Sequence, residues 1–173
     1  DLGGWVIRMG DPSMTAIDDM ENVVDYIHTD YHSDWMDVFL SGACKFFIAT
    51  SSGLYTFPTA FGVPVVQTNY LPTCTVSFTP DDLFLPKLCR SIETKELIPF
   101  PRLMSLPISL GGHTKYYNNV LKVEPVDNTQ EEIKTIVVEM YNRIEKDMRY
   151  TVEEEELQSQ FRDLTANVGT LIG

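Results

Sequence analysis

The stretch KFFIATSSG, from Lys45 to Gly53, decides the fold together with VPVVQT, from Val63 to Thr68. Each contains a run of apolar and β-branched residues on both faces, which is typical of strands in a parallel sheet covered on two sides. The segment between them predicts a short helix that ends at Gly62 and tolerates Pro58 if that proline lies in the first turn. Strand, helix and strand in this order predict a βαβ unit with a right-handed crossover.

Two more strands and a helix are predicted on the N-terminal side of this unit. WVIRM, from Trp5 to Met9, predicts a buried strand, and NVVDYI, from Asn22 to Ile27, predicts a second one. A helix follows, because Ser33 or Asp34 can cap its first turn and the apolar residues after them fall on one face. Gly42 is expected to end this helix.

The C-terminal side is less regular. Residues 70–120 are rich in Pro, Thr and Leu with little periodicity, so we expect long excursions and short helices over one end of the sheet. LKVEPV, residues 121–126, predicts a last strand. Thr129 and Glu132 then form a capping box that begins an amphipathic helix reaching Met148.

The predicted fold class is therefore α/β, a three-layer domain with a mainly parallel sheet over residues 1–148. An acidic C-terminal helical segment is expected over residues 149–173. The length of 173 residues suffices for one good core. Residues 124–173 hold five basic and twelve acidic side chains, so 5 − 12 = −7 of the net charge of −12 lies there.

Composition excludes several classes of protein. Thirteen Lys and Arg against 25 Asp and Glu disfavour binding to duplex nucleic acid or to an anionic membrane, both of which need a cationic surface. No apolar run approaches the roughly 20 residues that cross a bilayer, and the start of the chain lacks a secretory signal. Cys44, Cys74 and Cys89 form no CxxC pair of the kind found in zinc or redox sites. We therefore expect a cytoplasmic protein with no transmembrane segment and no nucleic-acid partner.

The strongest chemical signal is the polar cluster that follows the strand KFFIAT. Thr50, Ser51, Ser52 and Gly53 lie between a strand and a helix, a construction that aims free backbone N–H groups and a positive helix end at an anion. The glycine would let the backbone approach a phosphate group closely. The alternative interpretation is a serine that only caps the helix.

Two basic residues can add charge to such a site. Arg8 ends the first predicted strand, and its guanidinium can hold phosphate oxygens in a bidentate manner. It could instead form an ion pair with Asp11 or Asp34. Lys87, in DLFLPK, is a second candidate phosphate ligand or an ordinary surface lysine.

His28 and His32 have the spacing of one helical turn and lie near Asp30 and Asp34, so a metal site is one interpretation. The sequence HTDYHSD predicts a loop, however, and no third ligand is evident. Hydrogen bonding by a neutral imidazole to a sugar or a phosphate is therefore the favoured interpretation. The sequence contains no GxSxG elbow, no Walker loop and no Cys/His nucleophile pair.

Four stretches carry a resemblance to a known family: GGWVIRMGDPSM, VVDYIHTDYHSDWMDVFLSGACKFFIATSSG, FGVPVVQTN and FTPDDLFLPK. They resemble a family of bacterial glycosyltransferases associated with surface-polysaccharide gene clusters. The resemblance implies that the chain is the Rossmann-like, donor-binding C-terminal half of a GT-B type enzyme. In similar transferases the nucleotide diphosphate lies against the loop and helix after a central strand, which corresponds to Ser51, Ser52 and Gly53 here.

The resemblance and the residue chemistry together predict a set of site residues. Diphosphate ligands are expected to be Arg8, Thr50, Ser51, Ser52, Gly53 and Lys87, and candidate contacts to the sugar or nucleotide are Asp11, His32, Asp34 and Asn69. No metal and no cofactor are expected beyond the nucleotide sugar, because N–H donors and a cation can stabilise the charge that develops on the leaving diphosphate. The expected partners are a nucleotide sugar, a glycan or lipid-linked acceptor, and a second Rossmann-like domain outside this chain.

Two other functions stay open at this point. The acidic tail and the lack of an acceptor domain are compatible with a noncatalytic binding or assembly module. A metal-dependent phosphoester hydrolase would use His32, Asp34 and Asp11. The residues leave the nucleotide, the sugar, the acceptor and the catalytic base undetermined.

Overall fold

A computed structural model describes residues 3–50, 52–71, 79–107, 114–146 and 148–166. The chain divides into two compact units, an N-terminal unit (Asp1–Cys44) and a C-terminal unit (Lys45–Gly173).

The N-terminal unit contains strands β1 (Val6–Ile7) and β2 (Val23–Val24), a 3-10 turn (Tyr26–His28) and helix α1 (Asp34–Ala43). The C-terminal unit contains β3 (Phe47–Ala49), a 3-10 turn (Gly53–Tyr55), α2 (Thr56–Phe61), β4 (Val65–Tyr70), β5 (Leu83–Pro86), β6 (Leu88–Ser91), α3 (Phe100–Met104), α4 (Thr114–Tyr116), a π-helical turn (Tyr117–Leu121), β7 (Val123–Val126), α5 (Gln130–Glu145) and α6 (Val152–Ala166).

A three-stranded parallel sheet forms the centre of the C-terminal unit, with β4 between β3 and β5. Ala49 of β3 and Phe84 of β5 both pair with Gln67 of β4. Helix α2 connects β3 to β4, so the predicted strand, helix and parallel strand are confirmed. Pro58 lies in the first turn of α2, and Gly62 ends the helix with a φ of 74°, which glycine adopts without steric cost.

Helix α5 packs against this sheet through a buried apolar cluster. Ile136 and Met140 of α5 meet Val66 of β4, and Leu83 and Leu85 of β5 pack around them. This contact explains why the amphipathic pattern after residue 129 specifies a helix, since its apolar stripe has a sheet face to cover.

The start of α5 has the predicted capping box, whereas its end at Glu145 comes earlier than the predicted Met148. The backbone N–H of Glu132 donates to Thr129 Oγ1 at 3.3 Å, and the backbone N–H of Thr129 donates to Glu132 Oε2 at 2.6 Å. Two of the donors that a helix start leaves unpaired are thereby satisfied.

Strand β1 differs from its prediction in how far its side chains are buried. It pairs in parallel with β2, but Trp5, Val6 and Ile7 are 71%, 55% and 42% exposed, so the expectation of a buried strand is wrong. In the described part of the chain β1 has β2 as its single partner, and a two-stranded sheet shields little of its side chains. The second predicted strand is shorter than expected, because Asn22 has a φ of 60° and a 3-10 turn begins at Tyr26.

Helix α1 begins where the sequence predicts. Ser33 is the N-cap, and its hydroxyl accepts a hydrogen bond from the backbone N–H of Met36. The predicted end at Gly42 is early, since Ala43 is still helical and Cys44 closes the last turn.

The segment over residues 70–120 contains strands that the sequence does not signal. Strand β5 extends the parallel sheet, and β6 pairs antiparallel with β7. The strand predicted over residues 121–126 is present in part, as β7, which begins at Val123 and lies in a separate two-stranded sheet. A second apolar cluster supports this region, formed by Leu71, Cys89, Leu103, Tyr117 and Val123.

The fold is thus mixed α/β with small, mostly parallel sheets. The acidic segment forms α6, where the ring of Phe161 lies 5.4 Å from that of Phe100 in α3. The sequence predicts a domain boundary after residue 148, whereas the two compact units meet between Cys44 and Lys45. The boundary after residue 148 stays a prediction. Among the described helices, none is long and apolar enough to cross a membrane.

The α5–sheet contact predicts a large effect of one truncation. Met140 is 1% exposed, so Met140→Ala should lower the free energy of unfolding by about 2–5 kcal/mol, through lost burial and a cavity. Leu157→Ala in α6, at a position 59% exposed, is the control and should change it by about 0.5 kcal/mol or less. Urea denaturation followed by circular dichroism measures both, and equal effects would contradict the packing described.

Candidate functional site

The predicted diphosphate ligands of the C-terminal unit, and the predicted sugar or nucleotide contact Asn69, lie at the carboxyl ends of its parallel strands. Thr50 to Gly53 follow β3, Asn69 lies near the end of β4, and Lys87 follows β5. Because the three strands are parallel, their carboxyl ends meet at the same edge, where ligands of open α/β sheets bind. Ser51 lies outside the described residues.

The turn after β3 is open to solvent. Thr50, Ser52 and Gly53 are exposed, and the backbone N–H of Ser52 donates to Thr50 O at 2.7 Å. The Ser52 hydroxyl makes no capping bond to the 3-10 turn that it precedes. A Cβ atom at Gly53 would meet no atom of the described chain within 4 Å. The backbone beside this glycine is therefore accessible to a ligand.

Tyr55 connects this turn to strand β4. Its hydroxyl lies 3.4 Å from that of Tyr70, and the ring of Tyr70 meets that of Phe84 at 5.3 Å. Tyr70 follows a register shift that begins at Gln67, with Asn69 in a left-handed conformation at φ 52°. Burial, and then the bond with Tyr55, raise the pKa of Tyr70 above its ordinary value, so this hydroxyl stays protonated.

Asn69 is part of a reciprocal amide clamp. Its backbone N–H donates to Asn128 Oδ1 at 2.5 Å, and its own Oδ1 accepts from the backbone N–H of Asn128 at 2.7 Å. Asn128 Nδ2 also donates to Pro86 O at 3.0 Å. The clamp joins the ends of β4 and β5 to the loop before α5. Contact of Asn69 with a sugar or nucleotide stays a prediction.

Lys87 lies beside this clamp and forms an ion pair with Asp127. The Lys87 side chain is 20% exposed, whereas that of Asp127 is 75% exposed. A pair with one partner this solvated contributes about 0–1 kcal/mol, so a more highly charged anion could compete for the ammonium group. The pair also holds Lys87 Nζ near the strand ends.

The N-terminal unit has a polar cluster of its own at the carboxyl ends of β1 and β2. Arg8 follows β1 and Asp25 follows β2, and Arg8 Nη1 donates to Asp25 Oδ1 at 2.7 Å. The other carboxylate oxygen, Asp25 Oδ2, lies 2.8 Å from His28 Nδ1 and accepts from the backbone N–H of Ile17 at 3.1 Å. The ion pair considered for Arg8 thus exists, but its partner is Asp25 instead of Asp11 or Asp34.

Asp25 is strongly stabilised as a carboxylate. Burial by itself would raise its pKa, but the hydrogen bonds from Arg8, His28 and Ile17 outweigh burial and lower the pKa to about 2. The group therefore carries a negative charge at neutral pH and at moderately acidic pH.

The remaining predicted residues have local partners. Asp11 Oδ1 accepts from the backbone N–H of Ser13 at 2.8 Å, and the bonds with Ser13 lower the pKa of Asp11. The His32 ring packs on that of Tyr26 at 5.4 Å, and its Nε2 lies 3.9 Å from Asp37 Oδ2.

Asp34 occupies the first turn of α1, where a negative charge suits the positive end of the helix. Within the described ranges, no three His, Cys, Asp or Glu side chains come together as a metal ion would require. Asp11, His32 and Asp34, which a metal-dependent hydrolase would use, do not form such a group.

Sequence reasoning missed Asp25 as the centre of a cluster, and it considered His28 only as a metal ligand or hydrogen-bonding group. A usable signal was present, since Asp25 directly follows the apolar pair of β2 and His28 is three residues further on. In a 3-10 turn, residues three apart lie on the same side, which brings this carboxylate and this imidazole together.

A scan against protein-family models, a search of curated proteins and a search of solved structures each find no significant match to this chain.

The low pKa of Asp25 predicts acid sensitivity of the N-terminal unit. The folded value of about 2 lies below the roughly 3.9 of an unfolded aspartate, so the stabilisation is complete above the unfolded value and is lost as the pH falls through the folded one. Asp25→Asn should therefore lower stability at neutral pH, and its difference from the wild type should shrink as the pH approaches 2.

Urea titrations followed by the amide NMR signals of Arg8 and Ile17 report on this unit. The exposed residue Asp30 supplies the matched control, and Asp30→Asn should leave the stability at neutral pH close to that of the wild type. A difference between Asp25→Asn and the wild type that does not depend on pH would contradict the account.

Proposed function

We propose that this chain is the donor-binding half of a glycosyltransferase of GT-B type, and that its C-terminal unit binds the diphosphate of a nucleotide sugar. The observation that carries the proposal is that Thr50, Ser52, Gly53 and Lys87 follow the carboxyl ends of β3 and β5, the parallel strands on either side of β4. This is the edge at which open α/β sheets bind nucleotides. The resemblance of four sequence stretches to bacterial glycosyltransferases supports the same function.

The chemistry of the proposal is stabilisation of a leaving group. When the bond from the sugar to the diphosphate breaks, negative charge accumulates on the phosphate oxygens. The accessible backbone at Gly53 and the hydroxyl groups of Thr50 and Ser52 can donate hydrogen bonds there, and Lys87 adds a positive charge. Such donors favour the transition state over the bound substrate, and the step needs no divalent metal.

The proposal extends to the fold family of the domain and to the place where it works. We infer a Rossmann-like domain, working in the cytoplasm with a second Rossmann-like domain outside this chain that supplies a glycan or lipid-linked acceptor. The product would be a surface polysaccharide. Arg8 belongs to the N-terminal unit, where Asp25 balances its charge, so the proposed diphosphate site of the C-terminal unit does not include it.

Nucleotide binding tests the proposal directly. Calorimetry with the nucleoside diphosphates UDP, GDP and ADP should show binding of at least one of these at submillimolar concentration. Ser52→Ala should weaken that binding by about 1–3 kcal/mol, because a hydrogen bond to a charged phosphate is lost. Ser105→Ala, which removes a hydroxyl at the end of α3, is the matched control.

Gly53 provides a second and independent variant. Since a Cβ there meets nothing within 4 Å and the φ of Gly53 is not positive, Gly53→Ala should fold as stably as the wild type. The added methyl group should still weaken diphosphate binding, because it occupies the space that a phosphate needs beside the backbone. Absence of binding by all three nucleoside diphosphates at millimolar concentration would refute the donor site.

A further inference from the structure

The peptide group between Pro86 and Lys87 is hydrogen-bonded at both of its polar atoms. The backbone N–H of Lys87 donates to Tyr70 O at 3.1 Å, and Pro86 O accepts from Asn128 Nδ2 at 3.0 Å. Because both atoms belong to one planar group, these two bonds fix the backbone from which the Lys87 side chain starts. Lys87 therefore has an anchor at the end of β5 that does not involve its ammonium group.

Asn128 supplies half of this anchor from the loop before α5. Its Oδ1 accepts from the backbone N–H of Asn69 at 2.5 Å, and its own backbone N–H donates to Asn69 Oδ1 at 2.7 Å. Together with the bond to Pro86 O, these contacts join the ends of β4 and β5. All three bonds are partly buried, so water competes with them less than it would at an exposed surface.

Asp127, the preceding residue, holds Lys87 in a different way. Its carboxylate forms an ion pair with Lys87 Nζ, which is its one polar side-chain partner in the part of the chain that the structure describes. The Asp127 side chain is mostly exposed to solvent, whereas the Lys87 side chain is largely sheltered. Water can therefore replace the ammonium group beside the carboxylate at little cost, while the ammonium group needs another anion in its place.

We propose that the loop before α5 supports the donor site through two adjacent residues with opposite roles. Asn128 is the positioning residue that fixes the backbone of Lys87, and Asp127 is a counter-ion that the diphosphate displaces from the ammonium group. This inference rests on the proposed function and adds how the lysine of that site is held. An anion must break the Asp127 pair before it binds Lys87 Nζ, so Asp127 lowers the affinity for every anion that uses this lysine.

The two roles predict effects of opposite sign on the binding of inorganic pyrophosphate to the whole chain, measured by calorimetry. Asp127→Asn keeps the shape of the side chain and removes the competing charge, so pyrophosphate should bind about two- to fivefold more tightly. Asn128→Ala removes the side-chain bonds of the anchor, so pyrophosphate should bind about two- to tenfold less tightly. Glu131→Gln, which neutralises an exposed carboxylate in the first turn of α5, is the matched charge control and should change the affinity by less than about twofold.

A double-mutant cycle shows whether both effects act through the lysine. In a Lys87→Gln background, Asp127→Asn and Asn128→Ala should each change the pyrophosphate affinity by less than about twofold. A general loosening of the fold, or general charge repulsion, would persist in that background. Asn69→Gly tests the anchor if Asn128→Ala does not fold, because glycine suits the φ of 52° at this position and the change removes the bond to Asn69 Oδ1. It should also weaken pyrophosphate binding.

The outcomes separate this inference from the proposed function. If a nucleoside diphosphate binds but Asp127→Asn does not tighten pyrophosphate binding, the displaced counter-ion is overturned and the donor site stands. Unchanged affinity in Asn128→Ala and Asn69→Gly would overturn the positioning role of Asn128. If pyrophosphate shows the opposite effects while UDP, GDP and ADP do not bind, the supported lysine stands and the nucleotide assignment falls. Pyrophosphate that binds neither the wild type nor Asp127→Asn would overturn the inference.

Discussion

Burial of strand β4 is the constraint on which the C-terminal unit depends. Val65, Val66 and Gln67 are completely buried, so this strand needs partners along both edges and cover on both faces. Strands β3 and β5 pair with the two sides of β4, and α5 packs over Val66. At the end of this strand Tyr70 is also buried and Asn69 is hydrogen-bonded to Asn128, so burial and these bonds together position the residues beside the turns.

In each unit, the polar side chains at the carboxyl ends of the strands are held in place by a second polar group. In the C-terminal unit, Asn128 is hydrogen-bonded to Asn69 near the end of β4, and Asp127 forms an ion pair with Lys87, which follows β5. Asp25 holds Arg8 and His28 in the N-terminal unit. Side chains that are oriented before a ligand arrives lose less conformational entropy on binding. Side chains held in this way are therefore better suited to a binding site than freely moving groups on a solvated surface.

Local signals explain which elements the sequence predicted. Helix α2 and strand β4 follow from an apolar run and from Gly62, and α5 follows from the capping box at Thr129. Strands β5 and β6 carry no such signal, because each has four residues and the chain around them is rich in prolines. The exposure of β1 was also unpredictable, since an apolar run does not specify how many strands will pair beside it.

By itself, the sequence determined the alternation of strand and helix, the start of α5 and the polar turn from Thr50 to Gly53, because propensity, capping and turn chemistry act between residues close in the chain. Only the tertiary structure decided that Arg8 pairs with Asp25 and that Asn69 is clamped by Asn128. Those choices join residues distant in the chain, and they depend on strand pairing and register, which the burial of whole faces selects.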